Sequence, residues 1–349
     1  MRYIPVNQLK EDMILGQELY NAEGRVFLEK HTILTGENIS YIAFLGIPGI
    51  YVDDEFSKEA QVKEIIVPEV KRTAVSIIND MFSKTEHGDV DKDDERIKAI
   101  VEEIINNILE NKDVMMNLLE LKTYNDYTFF HSTNVAVLSG VIGAKCNISD
   151  IEMEALVTAG FLHDIGKIFI PPEIINAPRQ LTEAERIIMN DHPRLGYELL
   201  VNHFHFDDIV TRAVYEHHEW VNGNGYPRRI SKDRIMFISK ILRAADVYDA
   251  MTSNRPYHAP FLPSEVMEYI MSRAGMEFDQ GVVRVMSKEL CIFPVGCEVE
   301  LSDGSHGIIV GNHKGFVMRP AIKLIPSGEI IDLCEDRTKW KLVISKLLM

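Results

Sequence analysis

The sequence predicts a mainly α protein in which a central helical block lies between two small β-containing modules. From Ile97 onward, apolar residues recur at intervals of three and four, as on one face of a helix, and the pattern continues with breaks to about Leu290. Before and after this block, apolar residues alternate with polar ones around Gly-rich turns, which is typical of short strands. The 349 residues are enough for about two or three domains.

The elements follow in this order along the chain. Residues 1–60 predict a small α+β module, because ILGQELYNAEGRVFLEKHTILT indicates a hairpin and SYIAFLGIPGIYV indicates a short helix and a strand. Residues 61–96 predict a helix or linker and end in the polar loop KTEHGDVDKDDER. Residues 97–290 form the helical block, and residues 291–349, with PVGCEVELSDGSHGIIVGNHKG, predict a small β unit. The apolar stripe that starts at Ile97 predicts core packing, with pairing of two chains into a homodimer as the alternative.

The composition excludes several classes of protein. Asp and Glu outnumber Lys and Arg by 53 to 37, a formal net charge of −16, so a long nucleic acid is not expected as a partner. No apolar run approaches the roughly 20 residues of a membrane span, and the first residues lack the apolar core of a signal peptide. The four cysteines form no CxxC pair, which fits a reduced setting. We therefore expect a cytoplasmic protein.

The motif HDIGK carries the sharpest chemical signal in the helical block. Here His163 and Asp164 follow the apolar segment LVTAGFL. An imidazole nitrogen and a neighbouring carboxylate can bind one divalent ion, and the second carboxylate oxygen can bridge to another. Further candidate ligands in the same block are His131, His192, His217, His218 and Asp246. Asp249 lies about one helical turn beyond Asp246 and is placed to support this group.

Each candidate taken alone also has a structural interpretation, such as a helix residue, a cap or a surface pair. Their joint occurrence in one helical block favours a metal site. Six other histidines receive no predicted role, because they fall in the β modules, in the polar loop or outside any motif. These are His31, His87, His203, His205, His306 and His313.

The order of the motifs resembles the HD-GYP branch of the HD-domain phosphohydrolases. The resemblance covers about residues 122–290 and rests on FFHSTNVAVLS, HDIGK, HP, EHHE followed by GNGYP, and ADVYDAMTSNRPY. It implies an all-helical HD fold, a cluster of iron or manganese ions, and hydrolysis of the bacterial second messenger cyclic di-GMP. The product is linear pGpG, and further cleavage to GMP is left open.

The resemblance also implies a ligand set. One metal ion would be held by His131, His163, Asp164 and Asp246. The other would be held by Asp164, His192, His217 and His218. Tyr127 stands where members with a third ion carry a glutamate, so we expect a two-metal centre.

Three further positions depart from the family pattern. Trp220 and Asn222 replace the Arg and Asp that usually follow the histidine pair, and His258 replaces a basic residue after RPY. Because of these changes, the alternative of a receptor that binds cyclic di-GMP without hydrolysing it stays open. A third interpretation is an HD hydrolase of another cyclic dinucleotide.

The implied mechanism uses a hydroxide that bridges the two ions and attacks the phosphorus in line. Lys167 lies three residues after Asp164 and is predicted to stabilise charge on the phosphate. Arg255 is predicted to clamp a phosphate through two hydrogen bonds. Gly225, Tyr226 and Pro227 are predicted to hold the substrate over the second ion.

Overall fold

A computed structural model of the chain describes residues 1–21, 25–63, 65–86, 94–111, 127–253 and 260–348. The α-helices among these residues are α1 (Gly36–Phe44), α2 (Pro68–Glu86), α3 (Asp94–Glu110), α4 (Tyr127–Cys146), α5 (Asp150–Leu162), α6 (Pro172–Ile175), α7 (Glu183–Met189), α8 (His192–His203), α9 (Asp208–Glu216), α10 (Phe237–Thr252), α11 (Pro263–Ser272) and α12 (Gln280–Glu289). The strands are β1 (Arg2–Pro5), β2 (Ile14–Leu15), β3 (Leu19–Tyr20), β4 (Val26–Leu28), β5 (Gly49–Asp53), β6 (Glu298–Leu301), β7 (His306–Gly311), β8 (Ala321–Ile325), β9 (Ile330–Asp332) and β10 (Ile344–Leu348). The predicted mainly α fold, flanked by small β units, is confirmed.

Helix α5 lies at the centre of the helical body and ends where the HD motif begins. Ser149 and Glu152 cap its start reciprocally, each side chain accepting from the backbone N–H of the other residue. Every residue from Ala155 to Leu162 is buried, so this part of the helix packs against its neighbours on all sides rather than on one face. At Gly160 an added Cβ would lie 2.6 Å from the Cα of Ala136 on α4. Only glycine permits this approach, which fixes α4 beside the helix that carries His163.

The helices on either side of the predicted block boundary pack into one core. Helix α2 precedes Ile97, and its buried residues join those of α3 and α4 in a single hydrophobic cluster. The apolar stripe of α3 faces this cluster, since Ile97, Ile100 and Ile104 are buried. The stripe therefore packs as core, as predicted. The domain boundaries themselves stay a prediction.

The N-terminal module contains a three-stranded sheet in the order β1-β5-β2, with antiparallel pairing, and a separate β3-β4 hairpin. A five-stranded antiparallel sheet in the order β10-β6-β7-β8-β9 forms the C-terminal unit. The two units contact each other. Tyr3 donates its backbone N–H to the carbonyl of Gly296 at 2.9 Å, and the hydroxyl of Tyr51 donates to the carbonyl of Val295 at 3.2 Å.

Within the described part of the chain, no helix is both long enough and apolar enough to cross a membrane.

Candidate metal centre

The HDIG segment forms a tight turn against α8. His163 follows the last residue of α5, and residues 165–169 continue as a 3-10 turn. A Cβ on Gly166 would lie 2.0 Å from the carbonyl oxygen of His192 and 2.4 Å from the backbone nitrogen of Gly196. The absence of a side chain at Gly166 therefore lets α8 dock directly on the turn. This contact brings His192 to Asp164.

A first group of side chains converges from α4, the HD turn and α10. Nε2 of His131 lies 3.3 Å from Nε2 of His163 and 3.2 Å from Oδ1 of Asp246. Nε2 of His163 lies 3.4 Å from Oδ2 of Asp164. All four side chains are buried. They are the four predicted for one metal ion, and their ligand atoms share one small space.

A second group lies on the other side of Asp164. Nε2 of His192 is 3.2 Å from Nε2 of His217 and 3.3 Å from Oδ1 of Asp164. The ring of His218 lies beside that of His217, with centroids 4.1 Å apart and an interplanar angle of 44°. Each of the three histidines offers a nitrogen within 4.8 Å of the others. Oδ1 of Asp164 thus faces the second group while Oδ2 faces the first, as a bridging carboxylate requires. The structure brings all seven predicted ligands together.

The hydrogen bonds of three of these rings show that the donor set fits divalent metal ions. Nδ1–H of His163 donates to the carbonyl of Gly160 at 2.8 Å. His192 and His217 make the same kind of bond to carbonyls three residues earlier, at 2.8 Å and 2.6 Å. Because a carbonyl only accepts, the proton of each neutral ring is on Nδ1 and Nε2 carries a lone pair. Two lone pairs facing each other at 3.2 Å repel unless they share a cation.

Burial keeps the second group neutral and therefore able to bind metal. It lowers the pKa of His192 to about 4 and holds the pKa of His217 well below its usual value. For Asp164, burial would raise the pKa, but the positive charge of Lys167 and the interaction with His163 outweigh it and hold the pKa well below its usual value. The carboxylate is therefore ionised at neutral pH. Neutral imidazoles around ionised carboxylates are the chemistry that a divalent ion needs.

Asp249 supports the first group from outside. Its Oδ2 accepts from Nδ1 of His131 at 2.8 Å, and its Oδ1 accepts from the amide of Asn134 at 3.2 Å. A carboxylate on the far nitrogen of a metal-binding histidine fixes the ring and its tautomer. Asp249 lies where its spacing from Asp246 predicted.

Lys167 reaches the cluster as expected. Its Nζ donates to Oδ2 of Asp164 at 2.5 Å, and its side chain is 28% exposed. The turn geometry produces this placement, since the backbone N–H of Lys167 donates to the carbonyl of Asp164 at 2.9 Å. The ammonium thus pairs with a carboxylate of the cluster while the lysine side chain stays partly exposed.

The GYP segment packs on the second group. The ring of Tyr226 stacks on His218 with centroids 4.6 Å apart and an interplanar angle of 26°. A Cβ on Gly225 would lie 2.3 Å from the backbone nitrogen of Trp220 and 2.5 Å from the carbonyl oxygen of His218. The loop therefore positions His218 directly. Its predicted contact with substrate stays a prediction.

Two of the positions that depart from the family pattern have defined environments. Oδ1 of Asn222 accepts from the backbone N–H of Asn224 at 2.9 Å. This hydrogen bond needs an acceptor oxygen at position 222 but no negative charge. Trp220 is half-buried. Arg255 and His258 lie outside the described residues, as does the side chain of Tyr127.

Buried glutamates on both sides of the histidine pair received no role in the sequence analysis. Glu219 accepts from the backbone N–H groups of Arg228 and Ile230 at 2.6 Å and 3.1 Å. Glu216 accepts from the backbone N–H of Met236 at 2.8 Å and from the Ser239 hydroxyl at 3.0 Å. Both carboxylates hold the chain that follows GYP. The EHHE motif itself was the signal, because two carboxylates beside a buried pair need partners of their own.

The helical fold and the HD motif at this site define a protein of the HD-domain class. The family model of the HD domain matches residues 103–282, and the chain belongs to this family. The resemblance predicted from the motifs is confirmed.

Individual relatives agree with this assignment. The chain is 31% identical over 229 residues to the cyclic di-GMP phosphodiesterase PA4108 of Pseudomonas aeruginosa, a match that covers 66% of this chain and 55% of that protein. It is 31% identical over 168 residues to the 3'3'-cGAMP-specific phosphodiesterase 3 of Vibrio cholerae, covering 48% of this chain and 36% of that protein. The chain thus spans little more than half the length of the first relative.

A solved structure shows the same fold. Bd1817, an HDG"Y"P protein from Bdellovibrio bacteriovorus, aligns with a TM-score of 0.52 and 16% identity, covering 81% of this chain and 97% of that structure.

Proposed function

We propose that the protein is a phosphodiesterase that uses two divalent metal ions to hydrolyse cyclic di-GMP to linear pGpG and further to GMP. The observation that carries the proposal is the position of Asp164. Its two oxygens face two separate groups of buried histidines, at 3.4 Å from His163 and 3.3 Å from His192. Such an arrangement is typical of a two-metal hydrolytic centre.

The predicted ligands would be shared between the two metal ions as follows. His131, His163 and Asp246 would hold one ion and His192, His217 and His218 the other, with Asp164 between them. When bound, iron or manganese ions supply an ionised water nucleophile at neutral pH and positive charge for the phosphate.

The remaining residues would act on the substrate itself. Lys167 would turn its ammonium from Asp164 toward the phosphate oxygens, where negative charge grows during attack. Arg255 would clamp the phosphate, and Tyr226 with its neighbours Gly225 and Pro227 would form the wall beneath the base.

We choose cyclic di-GMP as the proposed substrate because of the activities for which the relatives are named. PA4108 is named as a cyclic di-GMP phosphodiesterase and covers the larger part of this chain. The Vibrio cholerae relative, named as specific for 3'3'-cGAMP, makes this mixed dinucleotide the second candidate. Metal ligands do not distinguish these two substrates, because both present the same phosphodiester. The four cysteines all lie in the described residues and form no disulfide, which supports the reduced cytoplasmic setting that we propose.

The test is a turnover assay with protein loaded with Mn²⁺ or, without oxygen, Fe²⁺. Cyclic di-GMP and 3'3'-cGAMP are incubated in parallel, and products are separated by chromatography. We expect linear dinucleotide and mononucleotide from cyclic di-GMP at the higher kcat/KM. Preferential cleavage of 3'3'-cGAMP would establish the second candidate. Binding of cyclic di-GMP without any product would establish a receptor and overturn the proposal.

A further inference from the structure

Three side chains of the types that bind metal ions lie together in the C-terminal β unit. They are His313, Asp332 and Glu335, and each offers a ligand atom within 4.8 Å of the other two. Nε2 of His313 lies 2.9 Å from Oδ2 of Asp332. None of the three belongs to the candidate metal centre, and His313 was one of the histidines without a predicted role.

The register of the C-terminal sheet explains why residues so far apart in the sequence meet. Strand β8 lies between β7 and β9, and its Ala321 is opposite Gly311 on β7 and Asp332 on β9. These three residues form one row across the sheet, and His313 follows the row two residues after Gly311. Because Ala321 has a small side chain, the imidazole and the carboxylate reach each other across β8.

The backbone holds the Asp332 carboxylate in an orientation that suits a metal ligand. Its Oδ1 accepts from the backbone N–H groups of Cys334 and Glu335 at 2.9 Å and 3.0 Å. The other oxygen, Oδ2, is turned to His313. Asp336 donates its backbone N–H to the Asp332 carbonyl at 3.0 Å, as in one turn of a helix, so Glu335 lies on the same side as Asp332.

The third ligand distinguishes this cluster from an ordinary histidine–carboxylate pair. Another such pair exists in the same sheet, where Nδ1 of His306 lies 3.3 Å from Oε1 of Glu298. Glu298 also faces Arg2 at 3.9 Å, so a cation already lies beside that carboxylate. At His313, by contrast, a second carboxylate joins the first, and their charges favour a divalent cation.

The donor set of this cluster suits zinc. Zn²⁺ binds imidazole nitrogen and carboxylate oxygen at about 2.0–2.2 Å, and three protein ligands leave a fourth position for water. A tetrahedral ion at these distances separates its ligand atoms by about 3.4 Å, so the contact of 2.9 Å between His313 and Asp332 needs to widen only slightly. These two side chains are 28% and 27% exposed, so an ion can enter from solvent.

We propose that His313, Asp332 and Glu335 form a binding site for one zinc ion in the C-terminal sheet. The ion ties the connection that follows β7 to the end of β9, and it stabilises the folded chain because it binds only when the two segments are together. The site is independent of the proposed hydrolysis, because it shares no ligand with the hydrolytic centre.

The experiment counts zinc on the full chain after dialysis against a fixed low concentration of Zn²⁺. The parent protein carries Asp164→Ala and His192→Ala, which take ligands away from the hydrolytic centre. We expect this parent to hold one Zn²⁺. Adding His313→Ala should weaken that binding at least about 100-fold, because a direct ligand is lost. Zn²⁺ should also raise the unfolding temperature of the parent and not that of the His313→Ala protein.

Two further variants in the same parent are matched to the site. Asp332→Asn keeps an acceptor oxygen for the two backbone N–H groups and loses the charged ligand oxygen, so the turn is kept and Zn²⁺ binding should fall. His306→Ala removes the other histidine–carboxylate pair of the sheet and should keep the full zinc content.

The inference is overturned if the parent holds no zinc, if His313→Ala keeps it, or if His306→Ala loses as much as His313→Ala. Should the parent fail to fold, the comparison is made in the wild-type chain. There His313→Ala should hold one zinc ion fewer than wild type, and an equal count overturns the inference. Absence of dinucleotide turnover in the wild-type protein would count against the proposed function and would leave this difference in zinc content unchanged.

Discussion

Oδ2 of Asp249 lies 2.8 Å from Nδ1 of His131, and this contact directs the opposite ring nitrogen into the first group of ligands. Burial lowers the pKa of His131, but hydrogen bonds with Asp246 and Asp249 outweigh it and raise the pKa to about 9. In the metal-free protein His131 is therefore a cation at neutral pH, and metal binding must displace its proton. Asp249 keeps the ring of His131 oriented toward the first group while the ring loses its proton.

The first prediction concerns this orientation. Asp249→Ala should weaken metal binding about 10- to 100-fold, the usual effect of removing such a partner. Asp249→Asn keeps an acceptor oxygen and should lose much less. Metal content after dialysis against a fixed Mn²⁺ concentration measures both. Equal losses in the two variants would show that the charge of Asp249, and not its hydrogen bond, matters.

A second prediction tests the bridging role of Asp164. Asp164→Ala removes the carboxylate whose two oxygens face His163 and His192, so both ions and all turnover should be lost. Metal analysis and the dinucleotide assay are the measurements. Glu154→Ala, on the exposed side of α5, is the control and should behave as wild type. Two fully bound ions in Asp164→Ala would contradict a bridging carboxylate.

The third prediction separates Lys167 from the metal ligands. Lys167→Ala should keep both ions, because an ammonium has no lone pair to offer. Its kcat should fall about 100-fold, as when one charge-stabilising donor is removed from a transition state. Parallel measurement of metal content and kcat tests this. Unchanged kcat would remove Lys167 from the catalytic group.

The fourth prediction concerns the contact between the HDIG turn and α8. In Gly166→Ala the new Cβ would meet backbone atoms of α8 at 2.0 Å and 2.4 Å, so α8 must move and carry His192 with it. We expect a loss of about 1–3 kcal/mol in the free energy of unfolding, together with weaker binding of the second ion.

Urea denaturation and metal analysis check this prediction. Gly311→Ala is the matched control, since its Cβ would have no neighbour nearer than 3.8 Å. If Gly166→Ala is as stable and as metal-rich as that control, the turn tolerates a side chain and the docking argument is wrong.

The fifth prediction is a maximum of stability near pH 6.5 in the metal-free protein. Burial lowers the pKa of His192 to about 4, so between about pH 4 and 6.5 the unfolded chain binds the extra proton and stability falls as the pH falls. For His192 alone the full loss is about 3 kcal/mol. His217 and His218, whose pKa values burial also lowers, add to this loss.

On the alkaline side the sign reverses. The pKa of His131 is raised to about 9, so its contribution is complete below about pH 6.5 and is lost as the pH rises toward 9. Urea denaturation of chelator-treated protein, at pH values from 4.5 to 9 spaced by roughly one unit, measures the acidic and the alkaline loss of stability. A free energy of unfolding that keeps rising above pH 7 would contradict the raised pKa of His131.

The convergence of the candidate ligands was predictable because short motifs carry them. HDIGK and EHHE place ligands on local turns whose geometry the sequence largely determines, and the helical period placed Asp249 one turn from Asp246. Arg243 received no role in the sequence analysis, although it lies three residues before Asp246 and its Nη1 lies 2.8 Å from Nδ1 of His218. The position of its guanidinium depends on an ion pair with Glu277, which is 34 residues away in the sequence. No helical or strand period links the two residues. Long-range ion pairs of this kind need the packed structure.

The contact between the two terminal β units also decides when the fold can be completed. The hydroxyl of Tyr51 bonds to a carbonyl 244 residues further along the chain, and Tyr3 reaches the same segment. Closing so long a loop costs entropy that is recovered only when the partner segment is present. During synthesis, the N-terminal half of this contact must wait until the helical body and the segment at Val295 have left the ribosome. Translation that stops inside the helical block therefore leaves Tyr3 and Tyr51 without their partners Gly296 and Val295.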